Sequence, residues 1–187
     1  MYAHTRGAHL HTRLGRRADA KRDLEHLAKD GFAALPFDQE WLYGMSLLAE
    51  TAAFVDDTDS AAVLYGLLVP WEAFNAVDLS EGFRGAVSRY LGILAATMGR
   101  CDDAQRHFED ALAMNERMGT RPWLAYTQND YARMLIARNR PGDHESAHEL
   151  LHMALTTYRA LGMDPHAASA SQLVHRETAL RPPSAAR

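Results

Sequence analysis

The sequence of 187 residues has a single cysteine, no excess of positive charge and no long hydrophobic run. Cys101 cannot form an internal disulfide or supply a zinc site made of several cysteines. The formal net charge of −4 gives no electrostatic reason to expect general binding to nucleic acid or anionic membranes. No stretch of about 18 apolar residues and no secretion signal is present, so we expect a cytoplasmic protein without a membrane contact.

Catalytic motifs are also missing. The glycines occur singly, without the GxxxxGK[ST] loop or the strand-turn-helix GxGxxG pattern that binds phosphates. The carboxylate pairs Asp56–Asp57 and Asp102–Asp103 lie where helices are expected to begin, so helix capping explains them better than acid–base chemistry. We therefore predict a protein that is not an enzyme and that needs no cofactor or metal.

One histidine series resembles a metal site. His144, His148 and His152 are spaced by four residues, so they fall on one side of a predicted helix, where imidazoles can hold a transition metal. The local sequence HESAH lacks the HExxH pattern, and no cysteine is near. A solvated helix flank is the favoured interpretation, and a metal site is the alternative.

A pattern of helix, turn and second helix occurs four times. Each second helix carries an alanine followed by larger apolar or small residues at about +4 and +7, and the alanines are 41, 43 and 43 residues apart. The aligned positions are Ala20, Leu24 and Leu27; Ala61, Tyr65 and Leu68; Ala104, Phe108 and Ala111; and Ala147, Leu151 and Ala154. These spacings place the residues on one helix face, which predicts a surface for stacking neighbouring helices.

The first helices of the four hairpins are predicted at residues 1–14, 39–55, 82–98 and 122–137, and no segment requires a strand. The predicted fold is therefore all-α, a right-handed solenoid of about four antiparallel hairpins over residues 1–163. Residues 164–187 are expected to form a short helix near 166–178 and a flexible tail ending in RPPSAAR.

Two further features concern contacts with partners. Trp41, Trp71 and Trp123 lie near hairpin ends, where packing between repeats is favoured over a role as exposed anchors. The first hairpin is locally basic, although acidic residues interleave with its arginines. Its uncovered end also predicts a homo-oligomer formed through exposed repeat ends.

One hairpin carries residues at the spacing of a known repeat: Leu91, Gly92, Gly99, Ala104, Phe108 and Ala111. This pattern resembles the tetratricopeptide repeat, although the period exceeds the usual 34 residues. Residues 1–163 are more specifically similar to the C-terminal repeat region of actinobacterial-type multidomain regulators. In those proteins an ATPase module accompanies a nucleotide-cyclase or LuxR-type DNA-binding domain, and the resemblance places these catalytic and DNA-binding parts outside this chain.

The resemblance implies a non-enzymatic scaffold or sensor module of a signalling or transcription-regulator protein, with a protein or peptide partner. The alternative is a regulator fragment that contacts nucleic acid through its basic first hairpin. In a stack of this kind the first helices line an inner groove, which is the predicted binding site. Its predicted lining residues are Arg89, Ile93, Tyr126, Asn129 and Arg133, together with Ala86. Pairing of the two arginines with acidic residues of neighbouring helices is the alternative interpretation.

Overall fold

The computed structural model describes residues 2–80 and 82–180, with side chains as far as Glu177. Within these residues the chain forms nine α-helices, one 3₁₀ helix and one two-stranded sheet. The helices are α1 (Tyr2–Arg13), α2 (Arg17–Ala28), α3 (Trp41–Phe54), α4 (Thr58–Leu68), α5 (Val87–Thr97), α6 (Cys101–Arg117), α7 (Arg121–Arg138), α8 (Asp143–Ala160) and α9 (Asp164–Leu180). The 3₁₀ helix is Val69–Trp71, and the strands are β1 (Asn75–Asp78) and β2 (Gly82–Ala86). The predicted all-α repeat class is confirmed, with a small sheet added.

The chain divides into two compact units, Met1–Met114 and Asn115–Arg187. The first contains α1 to α5, the sheet and most of α6, and the second contains α7 to α9. The domain boundary predicted after residue 163 stays a prediction, and α9, which begins there, packs against α8 within the second unit. The predicted flexible tail lies outside the described residues. None of the described helices combines the length and hydropathy needed to span a membrane.

The repeated apolar positions form the core, with one exception. The positions aligned on Ala20, Ala104 and Ala147 are buried throughout, as predicted. In the second hairpin Ala61 and Leu68 are buried, but Tyr65 is only half-buried and Leu64 takes the core position beside them. Tyr65 packs against the edge of this core, and its hydroxyl lies 2.8 Å from Nε2 of His107.

The contact between α5 and α6 explains the glycine in the tetratricopeptide-like pattern. A Cβ atom at Gly92 would lie 2.8 Å from Cδ1 and 2.9 Å from Cε1 of Phe108. Phe108 is 1% exposed, so its ring has no space into which it can turn away. Only a glycine at position 92 lets the two helices approach with this ring between them.

The prediction that no strand is needed is wrong for residues 75–86. Strands β1 and β2 pair antiparallel, with Val77 opposite Phe83, and helix α5 begins at Val87 rather than at 82. The backbone at Gly82 and Gly85 has φ values of 100° and 81°, which are incompatible with the predicted helix. We refer to the paired strands β1 and β2, residues 75–78 and 82–86, as the β-hairpin.

Helix capping by aspartate is confirmed at α4. The Asp57 side chain accepts a hydrogen bond from the backbone N–H of Ser60 at 3.0 Å. Its neighbour Asp56 has a left-handed φ of 51° and forms an ion pair with Arg17 at 2.7 Å. Asp56 and Asp57 thus lie between the end of α3 and the beginning of α4.

Candidate functional site

The predicted groove residues of the first unit are largely occupied by the chain itself. Arg89 is 4% exposed, and its Nη1 donates to Oε1 of Glu50 on α3 at 2.8 Å. Ile93 is half-buried and packs against the hydrophobic core. Ala86, also assigned to the inner surface, is fully buried at the end of β2. These side chains present little surface to a partner.

The predicted groove residues of the second unit lie beside α9. The Tyr126 hydroxyl is 3.3 Å from Nε2 of His166, with 5.0 Å between the ring centroids. The exposed Arg133 donates to Oγ of Ser169 at 3.3 Å, and the half-buried Asn129 lies beside Asp130 on its own helix. A groove that combines residues of both units stays a prediction.

The β-hairpin completes a cluster of charges on α3. Arg84 of β2 donates from Nη2 to Oε2 of Glu50 at 2.7 Å and from Nε to Ser46 at 2.8 Å. Its guanidinium also lies 5.5 Å from the ring centre of Tyr43. Glu50 therefore accepts from two arginines, one on β2 and one on α5. The β-hairpin thus covers part of the α3 surface.

The charge cluster keeps Glu50 ionised and His9 neutral. Burial alone would raise the pKa of Glu50, but the positive charges of Arg89 and Arg84 outweigh it and lower that pKa to about 2. Burial also lowers the pKa of His9 to about 4, although Glu50 lies 3.5 Å away. The Glu50 shift supports a structural ion-pair network of Glu50 with the two arginines, and His9 is a neutral neighbour of that network.

The histidine series does not act as one unit. Both ring nitrogens of His144 are engaged, Nδ1 with Glu177 at 2.5 Å and Nε2 with Asn139 at 2.6 Å. His148 and His152 bring their Nε2 atoms to 3.2 Å, which leaves two imidazoles on the flank of α8. His152 is exposed, as the solvated-flank interpretation predicts.

Within the described part of the chain, one group of three potential metal ligands converges: Glu72, His107 and Asp110, with ligand atoms within 4.8 Å. The imidazole of His107 is almost fully buried, with Nδ1 2.6 Å from Oε1 of Glu72. Arg106 lies 2.7 Å from the same Glu72 oxygen and 3.7 Å from Asp110. Arg106 therefore already pairs with both carboxylates, and we interpret the group as an ion-pair network.

The strongest candidate surface is a cluster of four aromatic side chains in the first unit, Phe37, Trp41, Trp71 and Phe74, which we call the aromatic patch. Phe37 contacts Trp41 and Trp71 with ring centroids 5.1 and 5.5 Å apart, and Trp71 contacts Phe74 at 5.6 Å. Phe37 is 70% exposed and Phe74 is 54% exposed, whereas Trp41 is 7% exposed. The patch is therefore anchored by buried tryptophan and presents phenylalanine to solvent.

Loop geometry brings these four residues together. Trp41 is the first residue of α3, and its N–H donates to the carbonyl of Asp38 at 3.1 Å. Trp71 ends the 3₁₀ helix that begins next to Pro70, and Phe74 directly precedes β1. The patch thus forms where the α2–α3 loop meets the segment between α4 and the β-hairpin.

A cavity of about 240 Å³ opens beside the aromatic patch. Its lining residues are Phe37, Asp38, Gln39, Trp41, Leu42, Trp71, Asn75 and Val77. The walls are mainly aromatic and aliphatic, and Asp38 is the charged residue among them. An apolar pocket with a few polar groups is the usual form of a ligand-binding site in proteins.

Several carboxylates lie near Tyr2, whose hydroxyl bonds to Asp38 in the wall of this cavity. Oδ1 of Asp38 accepts from the Tyr2 hydroxyl at 2.7 Å and from the backbone N–H of Glu40 at 2.9 Å. Burial, the hydrogen bond to Asp38 and the charges of Asp38, Glu40 and Asp78 raise the pKa of Tyr2 above its ordinary value. The guanidinium of Arg6 lies near them, 3.4 Å from Glu40 and 3.6 Å from Asp78.

The sequence pattern predicts only part of this patch. It favours packing between repeats for Trp41 and Trp71, and it does not single out Phe37 or Phe74. The sequence contains a usable signal, because Trp71 directly follows Pro70, Trp41 lies five residues after Pro36, and each tryptophan is within four residues of a phenylalanine. The two segments meet only in the tertiary structure, and no regular spacing in the sequence predicts their contact.

Residues 84–160 match the family model described as Tetratricopeptide repeat. The match begins in β2 and continues to the end of α8, so it covers less than half of the chain. No curated protein and no solved structure gives a significant match. The match supports a tetratricopeptide-like helical repeat region, a type of repeat that generally mediates protein–protein interaction and is itself non-catalytic.

Proposed function

We propose that this chain is a protein-interaction scaffold that binds a protein or peptide partner through the aromatic patch. The observation that carries this proposal is the exposure of Phe37 and Phe74 beside a pocket anchored by Trp41 and Trp71. Tryptophan and other aromatic residues in desolvated pockets dominate the binding energy of protein interfaces. The repeat-family match supports the same class of function.

The proposed biological role is regulatory. The resemblance to multidomain regulators favours a scaffold or sensor module of a signalling or transcription-regulator protein in the cytoplasm. Association through exposed repeat ends belongs to the same proposal.

Protein binding is favoured over nucleic-acid binding because carboxylates accompany the arginines of the first hairpin. Arg17 pairs with Asp56 at 2.7 Å, and Arg22 pairs with Asp19 at 2.5 Å. Such pairing reduces the unbalanced positive charge that phosphate binding needs.

Selection of peptides from a random phage-displayed library on the immobilised full chain tests the proposal. We expect the selected peptides to lose at least about tenfold in affinity on Phe37→Ala, because truncating a hot-spot anchor costs about 2 kcal/mol or more. Phe37 is 70% exposed, so this variant keeps its fold. Leu161→Ala, at a 38% exposed position of the second unit, is the matched control and should bind as the original chain does.

The outcome distinguishes the patch from the predicted groove. Peptides that bind Phe37→Ala with unchanged affinity but lose affinity on Arg133→Ala would move the site to the groove and refute the patch. The absence of any enriched peptide would refute peptide binding altogether.

A further inference from the structure

The wall of the cavity beside the aromatic patch contains the exposed carboxylate of Asp38, which can accept further hydrogen bonds. The Asp38 carboxylate accepts its two hydrogen bonds on Oδ1, from the Tyr2 hydroxyl and from the backbone N–H of Glu40. Among the described residues no donor bonds to Oδ2. A carboxylate has about four lone-pair positions, so Asp38 can accept further hydrogen bonds from a ligand in the cavity.

The charge around the cavity favours a cationic ligand. Asp38, Glu40 and Asp78 all act on Tyr2 at this side of the unit, whereas Arg6 is the cation paired with two of them. Among the described residues, three carboxylates and one guanidinium act at this side of the unit, which leaves a local negative excess. The described residues that line the cavity include no lysine or arginine. A cation that enters is attracted, and an anion is repelled.

We infer that this cavity receives an arginine side chain of the partner, with its guanidinium stacked on tryptophan and paired with Asp38. The inference rests on the proposed function and adds the chemistry of the partner. A volume of about 240 Å³ is smaller than the usual pocket for a drug-sized molecule, so it suits a single side chain.

Arginine fits this lining better than lysine or an uncharged side chain. A guanidinium is planar and weakly hydrated, stacks on aromatic faces and can donate two parallel hydrogen bonds to a carboxylate. Trp71 and Trp41 supply the ring type that attracts cations most strongly. The apolar stem of the arginine would lie against Phe37 and Val77, which are 70% and 41% exposed.

Nuclear magnetic resonance of the full chain tests the inference with small probes. The probe is N-acetyl-arginine methylamide, and the isosteric control is the uncharged N-acetyl-citrulline methylamide. The indole N–H signals of Trp41 and Trp71 report on the cavity, and that of Trp123, in the other unit, is the internal reference. Each signal is assigned by a Trp→Phe substitution.

We expect the arginine probe to shift the signals of Trp41 and Trp71 and to bind about tenfold more tightly than citrulline. Asp38→Asn should remove this difference, because it removes the charge while keeping the Oδ1 acceptor for Tyr2 and Glu40. The matched control is Asp30→Asn, at an exposed carboxylate outside the cavity lining, and it should preserve the difference.

Two results would overturn the inference. Equal affinities for arginine and citrulline would show an uncharged pocket, and an unaltered preference in Asp38→Asn would place the guanidinium elsewhere. If library peptides still depend on Phe37 in either case, the proposed scaffold function survives while the arginine preference fails. If the arginine preference fails and the library peptides also bind independently of Phe37, both the inference and the proposed function are refuted.

Discussion

The contact between Gly92 and Phe108 predicts that the effect of a substitution at one position depends on the residue at the other. In Gly92→Ala the new methyl group would lie 2.8 Å from the Phe108 ring, which is buried and has nowhere to move. We expect the variant to be less stable, although alanine is the better helix former. In a Phe108→Ala background the ring is absent, and the same Gly92→Ala change should become stabilising.

The magnitudes follow from two opposing contributions. Overpacking a core by a methyl group costs about 1–3 kcal/mol, and replacing glycine with alanine inside a helix gains about 1 kcal/mol. We expect a net loss of about 1 kcal/mol for Gly92→Ala and a gain of similar size when Phe108 is alanine. The coupling energy between the two sites is then about 2 kcal/mol. Phe108→Ala alone should cost about 3–5 kcal/mol.

Urea denaturation of the four chains, followed by circular dichroism, measures this cycle. Gly66→Ala is the matched control, because this glycine lies within α4 and a Cβ there would meet nothing within 4 Å. It should stabilise the protein by up to about 1 kcal/mol. If Gly92→Ala changes stability equally with and without the Phe108 ring, the proposed packing of α5 against α6 is refuted.

Two further predictions concern the charge cluster on α3. The pKa of His9 is about 4 in the folded protein against an ordinary value of 6.5. The stability that depends on neutral His9 is therefore fully present above pH 6.5 and is lost as the pH falls towards 4. The loss in unfolding free energy should reach up to about 3 kcal/mol. His9→Gln should make the unfolding free energy less dependent on pH between these values, and equal pH dependence of the variant and the original chain would refute this prediction. The sequence alone predicts that replacing Arg89 and Arg133 with alanine leaves the melt nearly unchanged and weakens partner binding. With Arg89 buried against Glu50, we now expect Arg89→Ala to destabilise by about 3 kcal/mol and Arg133→Ala to have little effect, so equal melts for the two variants would contradict the cluster.

The sequence determined the helical repeat because that information is local and periodic. The alanines at positions 20, 61, 104 and 147 occur about every 42 residues, and all four are fully buried. The tetratricopeptide-like spacing also singles out Gly92 and Phe108, and the structure adds that the Phe108 ring packs directly against Gly92. Helix periodicity alone fixes which side of each helix is buried.

The β-hairpin and the aromatic patch were decided by tertiary structure. Residues 82–86 read as helix, but glycines with positive φ and pairing with residues 75–78 turn them into a strand. Strand β2 places Arg84 beside Glu50, and Glu50 also forms an ion pair with Arg89. Phe37 and Trp71 are 34 residues apart in the sequence, and only the meeting of two loops makes them neighbours. Contacts between loops follow no period, so the sequence pattern that predicts helices contains no signal for them.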